Sequence, residues 1–273
     1  MRARPEVFSG TMHGEGKRLL ICCIAWIALA FFDSTAFAQK PVMLDGLLLG
    51  YDLDMPDDPS VAEQVAAGNH QIEVLRQEDQ TLDSQTDLVE YFNSIVAQLL
   101  KNHQPKPRFP IVVHVGTEPV VNAFAMPGGH IVVYSDIFDL TDDESGLVGI
   151  LAHETSHQLH GDFLRLWQDY KTNRQIYGPG GVLEESRQFE QDADLGALRL
   201  MYDAGWDPRG QIAMMEQLRK RGVMARHGAP TTYATHPRDP ARIEADKELI
   251  ETFPPKTGLI RDSARYQELK QKY

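Results

Sequence analysis

Two histidines four residues apart, with a glutamate beside the first, are the residues best placed to do chemistry: His153-Glu154-Thr155-Ser156-His157. On an α-helix, positions four apart lie about 40° apart around the axis and about 6 Å along it, so both imidazoles can reach one metal ion. Glu154 projects beside that ion, where its carboxylate can take a proton from water. The pattern indicates a zinc site with a general base; the alternative is a helix with two ordinary histidines.

Zinc needs at least one more protein ligand than these two histidines provide. Two carboxylates four apart, Glu190 and Asp194, share one face of a later predicted helix. From spacing alone either can bind the metal, while the other accepts a hydrogen bond from a ligand imidazole. Asp192 falls on the opposite face and is expected to be solvated. The only two cysteines are adjacent, at 22 and 23, so the ligands must be nitrogen and oxygen atoms.

The hydrophobic periodicity predicts the elements that position these residues. Apolar residues recur at helical spacing in several segments, and three β-branched, alternating segments predict strands. The predicted helices span 60–77, 87–102, 142–160, 184–204, 208–221, 240–251 and 262–272, and the predicted strands span 111–115, 120–125 and 130–134. Pro127-Gly128-Gly129 forms the turn between the last two strands. The sequence therefore predicts an α+β domain, mostly helical, with a small antiparallel sheet next to the metal-binding helix.

The first 38 residues resemble a secretory signal peptide. Basic residues precede the apolar segment 19–32, and Ala36-Phe37-Ala38 is a small-x-small cleavage site. The apolar segment would be about 21 Å long as a helix, short of the roughly 30 Å hydrocarbon core of a bilayer. We therefore expect cleavage after Ala38 and export to the periplasm, with an uncleaved N-terminal membrane anchor as the alternative.

The charge of the chain limits the classes of partner that it can bind, and its length limits the number of domains. The formal net charge of −12 over 273 residues argues against a nucleic-acid partner. We expect four segments: the signal peptide 1–38, an extended N-terminal arm without firm structure at 39–59, a domain at 60–252 and a C-terminal tail helix at 253–273. The polar loop 222–235 is long enough to suggest a function.

The ordered motifs resemble those of the HtpX-like and CAAX-prenyl-protease-like zinc metallopeptidases, metallopeptidase family forty-eight. The resemblance covers roughly residues 60–250. It rests on the HExxH motif and on these further segments: Asn122-Ala123-Phe124-Ala125-Met126-Pro127-Gly128-Gly129, Glu190-x-x-Ala193-Asp194, Ala204-Gly205-Trp206-Asp207-Pro208, Thr235-His236-Pro237 and Arg242-Ile243. The arrangement is most similar to the soluble periplasmic branch typified by the β-barrel assembly-enhancing protease, without that protein's C-terminal helical repeats.

This resemblance implies a zincin-like fold of the gluzincin type and one Zn²⁺ per chain. It makes His153, His157 and Glu190 the zinc ligands and Glu154 the catalytic base, with Asp194 as the carboxylate that supports a ligand imidazole. It also implies an endopeptidase that hydrolyses unfolded or misassembled envelope proteins, associated peripherally with the outer membrane or its assembly machinery. The alternative is a non-proteolytic holdase or adaptor on the same fold; the intact Glu154 argues against it.

Further site residues follow from their position in these segments. The strand that contains Asn122, Ala123, Phe124 and Ala125 is a candidate edge strand for backbone pairing with an extended peptide; alternatively it is simply a sheet edge. His236 ends the loop 222–235 and can stabilise an oxyanion or cover the zinc, although a Thr-His-Pro step can also just begin a helix. Arg242 can orient His236 or pair with Asp194. His114, His130 and His160 are expected not to bind metal.

Overall fold

A computed structural model of the chain describes residues 42–44, 47–49, 55–119, 121–173, 178–221 and 240–273. Its helices are α1 (Val61–Glu78), α2 (Thr86–Leu100), α3 (Glu144–His160), α4 (Asp162–Asn173), α5 (Gly178–Ala204), α6 (Arg209–Arg221), α7 (Pro240–Glu251) and α8 (Ala264–Lys272). Its strands are β1 (Val42–Leu44), β2 (Leu47–Leu49), β3 (Val112–Gly116), β4 (Ala123–Met126) and β5 (His130–Tyr134). The predicted α+β class with a predominance of helix is confirmed. Over the described ranges, no helix is both long enough and apolar enough to cross a membrane. The predicted signal peptide, residues 1–38, lies outside the described residues.

The sheet is mixed, not antiparallel throughout as the sequence pattern predicts. Its strand order is β1-β2-β4-β5-β3. The hairpin β4–β5 is antiparallel, but β3 lies beside β5 and runs parallel to it, with Val112 opposite His130. The hairpin turn fixes only the β4–β5 pair. Burial then places β5 at the centre of these three strands, because Ile131, Val132 and Val133 are fully buried.

Two short strands, β1 and β2, lie in the N-terminal arm, for which the sequence predicts an extended segment without firm structure. β1 and β2 pair antiparallel, with Leu44 opposite Leu47, and β2 pairs parallel to β4 through Leu47 and Ala125. The two residues between β1 and β2 are Asp45 and Gly46, the dipeptide most typical of a two-residue hairpin. In the part of the arm that the structure describes, Val42–Leu44 and Leu47–Leu49 are thus paired strands, which differs from the expected lack of firm structure.

Helix α3 is the axis of the domain. Every residue from Glu144 to Gln158 is buried, so the helix has no solvent-facing side. The side chain of Asp143 caps its N-terminus by accepting a hydrogen bond from the Gly146 amide. Gly161 ends it in the left-handed conformation (φ 72°), which a glycine adopts without steric cost. A helix packed on all sides can hold polar side chains only where other elements supply their partners.

The C-terminal segment packs into the same core. Tyr266 and Leu269 of α8 are fully buried among residues that also surround α3. The Tyr266 hydroxyl donates to the Thr141 carbonyl (3.0 Å), and the Ser145 amide of α3 donates to the Arg261 carbonyl (2.8 Å). Residues 253–273 thus contribute to the core of the domain predicted at 60–252.

Glycine lets α5 approach α3 closely. A Cβ atom on Gly196 would lie 2.1 Å from Ser156 Oγ and 3.2 Å from His160 Cε1. Gly196 lies two residues after Asp194, and Ser156 directly precedes His157, so this contact sets the distance between the two helices at the predicted metal site.

We expect Gly196→Ala to destabilise the protein by about 1–3 kcal/mol, because the added methyl group overpacks the α3–α5 contact. Ser156→Ala removes the nearest obstructing atom, so the double variant should be more stable than the sum of the two single effects. Urea denaturation followed by circular dichroism measures all three free energies of unfolding. Strict additivity would show that the two residues do not share this contact.

Two histidines on neighbouring strands form a buried hydrogen-bonded chain. His114 Nδ1 is 2.8 Å from Asp83 Oδ2, His114 Nε2 is 3.0 Å from His130 Nδ1, and His130 Nε2 is 3.1 Å from the side chain of Asn69. Burial, together with the charge of His114, lowers the pKa of His130 to about 4. This series of hydrogen bonds connects α1 with β3 and β5. The two histidines are therefore structural, as expected, and each provides a hydrogen-bond partner for the other.

Stability should therefore fall as the pH drops from about 6.5 to about 4. The folded protein keeps His130 neutral in this window, whereas the unfolded chain takes up a proton near the ordinary histidine pKa of about 6.5. Protons thus favour the unfolded state. His130→Asn should flatten the pH dependence measured by urea denaturation, whereas a matched change at the exposed His70, His70→Asn, should leave it as in the wild type. Identical pH slopes for wild type and His130→Asn would contradict this assignment.

Candidate metal centre

The structure brings the three predicted ligands together. His153 and His157 lie one turn apart on α3, and their Nε2 atoms face each other at 3.1 Å. Glu190 of α5 lies against both: its Oε2 is 3.4 Å from His153 Nε2 and its Oε1 is 3.3 Å from His157 Nε2. All three residues are buried. Within the described ranges they form the one group of three or more His, Cys, Asp or Glu side chains able to hold a metal ion.

These separations fit zinc. Tetrahedral zinc with ligand bonds of about 2.0–2.1 Å places neighbouring ligand atoms about 3.3 Å apart. The distances from Glu190 to the two imidazoles match that value, and the distance between the imidazoles is slightly shorter. Two nitrogens and one carboxylate leave the fourth position of a tetrahedron open, which is typical of catalytic rather than structural zinc sites.

A carboxylate behind each imidazole fixes its orientation. Asp194 Oδ1 accepts a hydrogen bond from His153 Nδ1 (2.9 Å), and Asp162 Oδ2 accepts one from His157 Nδ1 (2.9 Å). A proton held on Nδ1 leaves the Nε2 lone pair available to a metal. Glu190 is therefore the residue that faces the metal-binding atoms, and Asp194 has the supporting role; the spacing of the two acids left both assignments open.

Asp162 was not among the site residues predicted from the sequence. This residue begins α4, and the left-handed Gly161 reverses the chain there so that the carboxylate reaches back to His157. Asp162 is fully buried, which is rare for an aspartate without a partner. The available signal was a glycine followed by an acid directly after the metal-binding helix, but that signal does not specify a hydrogen bond to His157.

Arg242 of α7 neutralises the carboxylates of α5. Its Nη1 is 3.0 Å from Glu190 Oε2, its Nε is 2.5 Å from Asp194 Oδ2 and its Nη2 is 2.8 Å from Asp194 Oδ1. The predicted pairing of Arg242 with Asp194 is thus present. The alternative role of Arg242 is to orient His236. His236 and the loop 222–235 both lie outside the residues that the structure describes.

The electrostatic surroundings of the site favour positive charge between the imidazoles. Burial opposes protonation of His153, but its hydrogen bonds to Asp194 and Glu190 raise its pKa to about 10. Asp162 and Glu190 raise the pKa of His157 to about 9 in the same way. A cluster that holds protons this firmly is also suited to a divalent cation, which would displace them.

A further acid lies behind Asp194. Burial and the charge of Asp194 raise the pKa of Asp246, on α7, to about 7. Gln211 of α6 connects the two acids: its Nε2 donates to Asp246 Oδ2 (3.0 Å) and to the Asp194 carbonyl (3.3 Å). In contrast, the Arg242 guanidinium and His153 hold the pKa of Asp194 below its ordinary value despite burial. The metal centre therefore depends on α3, α4, α5, α6 and α7.

Glu154 directly follows the first ligand on α3 and is 2% exposed. The other acids of the site hold Arg242 or a ligand imidazole: Glu190 and Asp194 pair with Arg242, and Asp162 pairs with His157. A carboxylate that directly follows a metal ligand on the same helix is suited to proton transfer.

The predicted substrate strand is not an edge strand in this structure. Ala123, Phe124 and Ala125 belong to β4, which lies between β5 and the arm strand β2; Asn122 precedes it, and its carbonyl accepts a hydrogen bond from the Tyr134 amide. The sequence pattern identified the strand next to the metal-binding helix but could not show that a distant part of the chain pairs with it.

Removing the support of one imidazole should weaken metal binding. We expect Asp162→Ala to lower zinc affinity about 10–100-fold, because His157 loses the acceptor that fixes its ring. A matched control is Asp192→Ala, since this more exposed acid on α5 accepts a hydrogen bond from the Gln188 side chain (2.9 Å). Competition with a fluorescent zinc chelator measures both affinities. Equal affinity of Asp162→Ala and wild type would exclude a role for Asp162 in holding the metal.

Comparison with known proteins points to one family. The model of peptidase family M48 matches residues 85–178 and 172–250. The Beta-barrel assembly-enhancing protease of Escherichia coli (strain K12) is 23% identical over 214 residues, which cover 67% of this chain and 43% of that protein. The Mitochondrial metalloendopeptidase OMA1 of Schizosaccharomyces pombe is 31% identical over 157 residues, covering 50% of this chain and 46% of that protein. The chain thus spans less than half the length of these relatives.

Proposed function

Since the chain belongs to peptidase family M48, we propose that it is a zinc-dependent endopeptidase in which Glu154 is the general base. The membership confirms the family to which the sequence motifs pointed and supports a metalloprotease. The observation that carries the proposal is the buried arrangement of two facing imidazoles and one carboxylate with Glu154 adjacent. One zinc ion per chain would be held by His153, His157 and Glu190.

A zinc ion held by these residues would supply a Lewis acid, able to polarise a peptide carbonyl and to lower the pKa of a water molecule toward about 7. In the proposed reaction Glu154 accepts a proton from the attacking water while a bond forms between the water oxygen and the carbonyl carbon. The bond from that carbon to nitrogen then breaks, and Glu154 delivers the proton to the leaving amine. Asp194 and Asp162 keep the two imidazoles oriented throughout, and Arg242 keeps Glu190 and Asp194 in place.

The substrates we propose are unfolded or misassembled proteins of the cell envelope, cleaved in the periplasm after export. The signal-peptide pattern at 1–38 supports export, with an N-terminal membrane anchor as the alternative. The name of the Beta-barrel assembly-enhancing protease supports a role near the outer membrane or its assembly machinery, with which this protein would associate peripherally. The net charge of −12 supports a protein and not a nucleic acid as the substrate.

His236 is a further residue that we assign to the proposed site from the sequence alone. It lies in the Thr235-His236-Pro237 segment shortly before Arg242. We propose that its imidazole stabilises the oxyanion that develops on the substrate carbonyl, or covers the zinc in a resting state.

We expect Glu154→Gln to bind zinc as tightly as the wild type but to cleave fluorescein-labelled casein at least about 100-fold more slowly, because the amide cannot accept the proton. Zinc content by elemental analysis and the rate of fluorescence release measure the two properties separately.

The matched control is Glu144→Gln, a change at the other glutamate of α3, which hydrogen-bonds the Tyr91 hydroxyl at the far end of the helix. This variant should retain cleavage if it folds. Equal cleavage by wild type and Glu154→Gln would refute the mechanism. A wild-type protein that binds zinc and casein but never cuts would instead support a holdase or adaptor.

A further inference from the structure

The N-terminal arm covers the strand to which a substrate backbone would pair. Strand β4 has β5 on one side, and the register Leu47 to Ala125 places the arm strand β2 on the other. Within the part of the chain that the structure describes, β4 therefore has a neighbour on each side. β2 belongs to a segment that precedes β4 by more than 70 residues.

A second part of the arm lies against the same strand. Met55 is 4% exposed and packs in an apolar cluster with Ala125 of β4 and with three residues of α4: Phe163, Leu166 and Trp167. The backbone beyond it is held by side chains of α4: Trp167 Nε1 donates to the Pro56 carbonyl (3.4 Å) and Gln168 Nε2 to the Asp57 carbonyl (3.4 Å).

The pocket that holds Met55 adjoins the metal centre. Phe163 directly follows Asp162, whose carboxylate holds His157. Phe189, which packs against the same cluster, directly precedes the metal ligand Glu190. Ala125 and Phe163 also line, together with His157, a small cavity beside α3. A peptide paired with β4 next to the zinc would therefore place a side chain where Met55 now lies.

We propose that the arm is an intramolecular occupant of the peptide-binding site: β2 takes the place of the substrate backbone and Met55 fills a substrate side-chain pocket. This inference rests on the proposed function. An unfolded chain with a suitable apolar residue displaces the arm and pairs with β4. The pocket is apolar and lined by aromatic and branched side chains, so it accepts a flexible unbranched residue such as methionine, or a leucine of similar volume.

The contact between β2 and β4 is short enough for a substrate to displace the arm. One registered residue pair joins β2 to β4, whereas five pairs join β3 to β5. Because the arm is covalently attached, its effective concentration at the site is high even when each contact is weak. A substrate with several apolar residues in extended conformation competes by forming a longer ladder with β4.

A reversible covalent lock tests the proposal. The two native cysteines, at 22 and 23, are replaced with Cys22→Ser and Cys23→Ser, and Leu47→Cys and Ala125→Cys are added so that a disulfide can join the directly paired residues. We expect oxidation to reduce the rate of casein cleavage at least ten-fold and reduction with a phosphine to restore it. The variant with Leu47→Cys alone should not respond to oxidation. Equal rates in the oxidised and reduced states would show that the arm is a permanent part of the sheet and would overturn the proposal.

A binding measurement separates this inference from the proposed function. Fluorescein-labelled casein is titrated with the same cysteine pair in a Glu154→Gln background, and anisotropy is recorded. We expect binding to the reduced form and at least ten-fold weaker binding to the oxidised form, whether or not the wild type cleaves. Equal binding to both forms, or none to the reduced form, would overturn the inference, whereas binding without cleavage by the wild type would refute only the proposed function.

Met55→Ala provides a second variant without a disulfide. Emptying the pocket should lower KM for casein several-fold with little change in kcat, since the residue competes with substrate but takes no part in the chemistry. Met43→Ala, on the outer arm strand β1, is the matched control and should leave KM closer to the wild-type value. An unchanged or raised KM for Met55→Ala would contradict a role in covering the site.

Discussion

The buried charges of the metal centre must be balanced by partners of opposite charge, and the rest of the molecule depends on this constraint. Glu190 lies between two imidazoles and the guanidinium of Arg242, with its oxygens 3.0–3.4 Å from their nitrogens. Taking a carboxylate out of water is costly unless its partners surround it. The partners here come from α3 and α7, and those of the imidazoles come from α4 and α5. Helix α3 cannot separate from α4 or α5, nor α5 from α7, without leaving a buried charge unpaired, so the metal centre and the tertiary structure stabilise each other.

The same constraint accounts for the composition of α3. A helix buried on every side would ordinarily be apolar, but α3 carries Glu144, His153, Glu154 and His157 among its buried residues. Each of those polar groups requires an element that reaches it. Small residues make this approach possible, because Gly149 and Gly196 bring α6 and α5 into close contact with the α3 surface. Helix α3 is weakly amphipathic because it contains glycines and serines. These small residues also allow neighbouring helices to approach closely enough to contact its polar side chains.

The parts of the site that sequence could predict are those set by local geometry. The spacing of His153 and His157 on one helix face follows from 3.6 residues per turn, and the pair of acids on α5 follows in the same way. Asp162 could not be predicted because its contact depends on the reversal at Gly161, and Arg242 had two candidate partners until α7 was placed. The sheet shows the same limit. The β4–β5 hairpin was evident from its turn, but neither the parallel pairing of β3 with β5 nor that of β2 with β4 could be assigned, because pairing between distant segments leaves no local signal.

The arm strand also bears on how the protein behaves among copies of itself. A sheet that ended at β4 would expose the unpaired backbone of a strand whose four side chains are all buried. Such an edge is a template for pairing with any extended chain, including that of a neighbouring copy, and this is how edge strands cause aggregation. With the hairpin β1–β2 in place, the sheet ends instead on a strand of three residues, a length that limits pairing. If the arm leaves β4 to admit a substrate, as we propose, the same opening would expose this edge to a neighbouring copy, so substrate access and self-association would rise together.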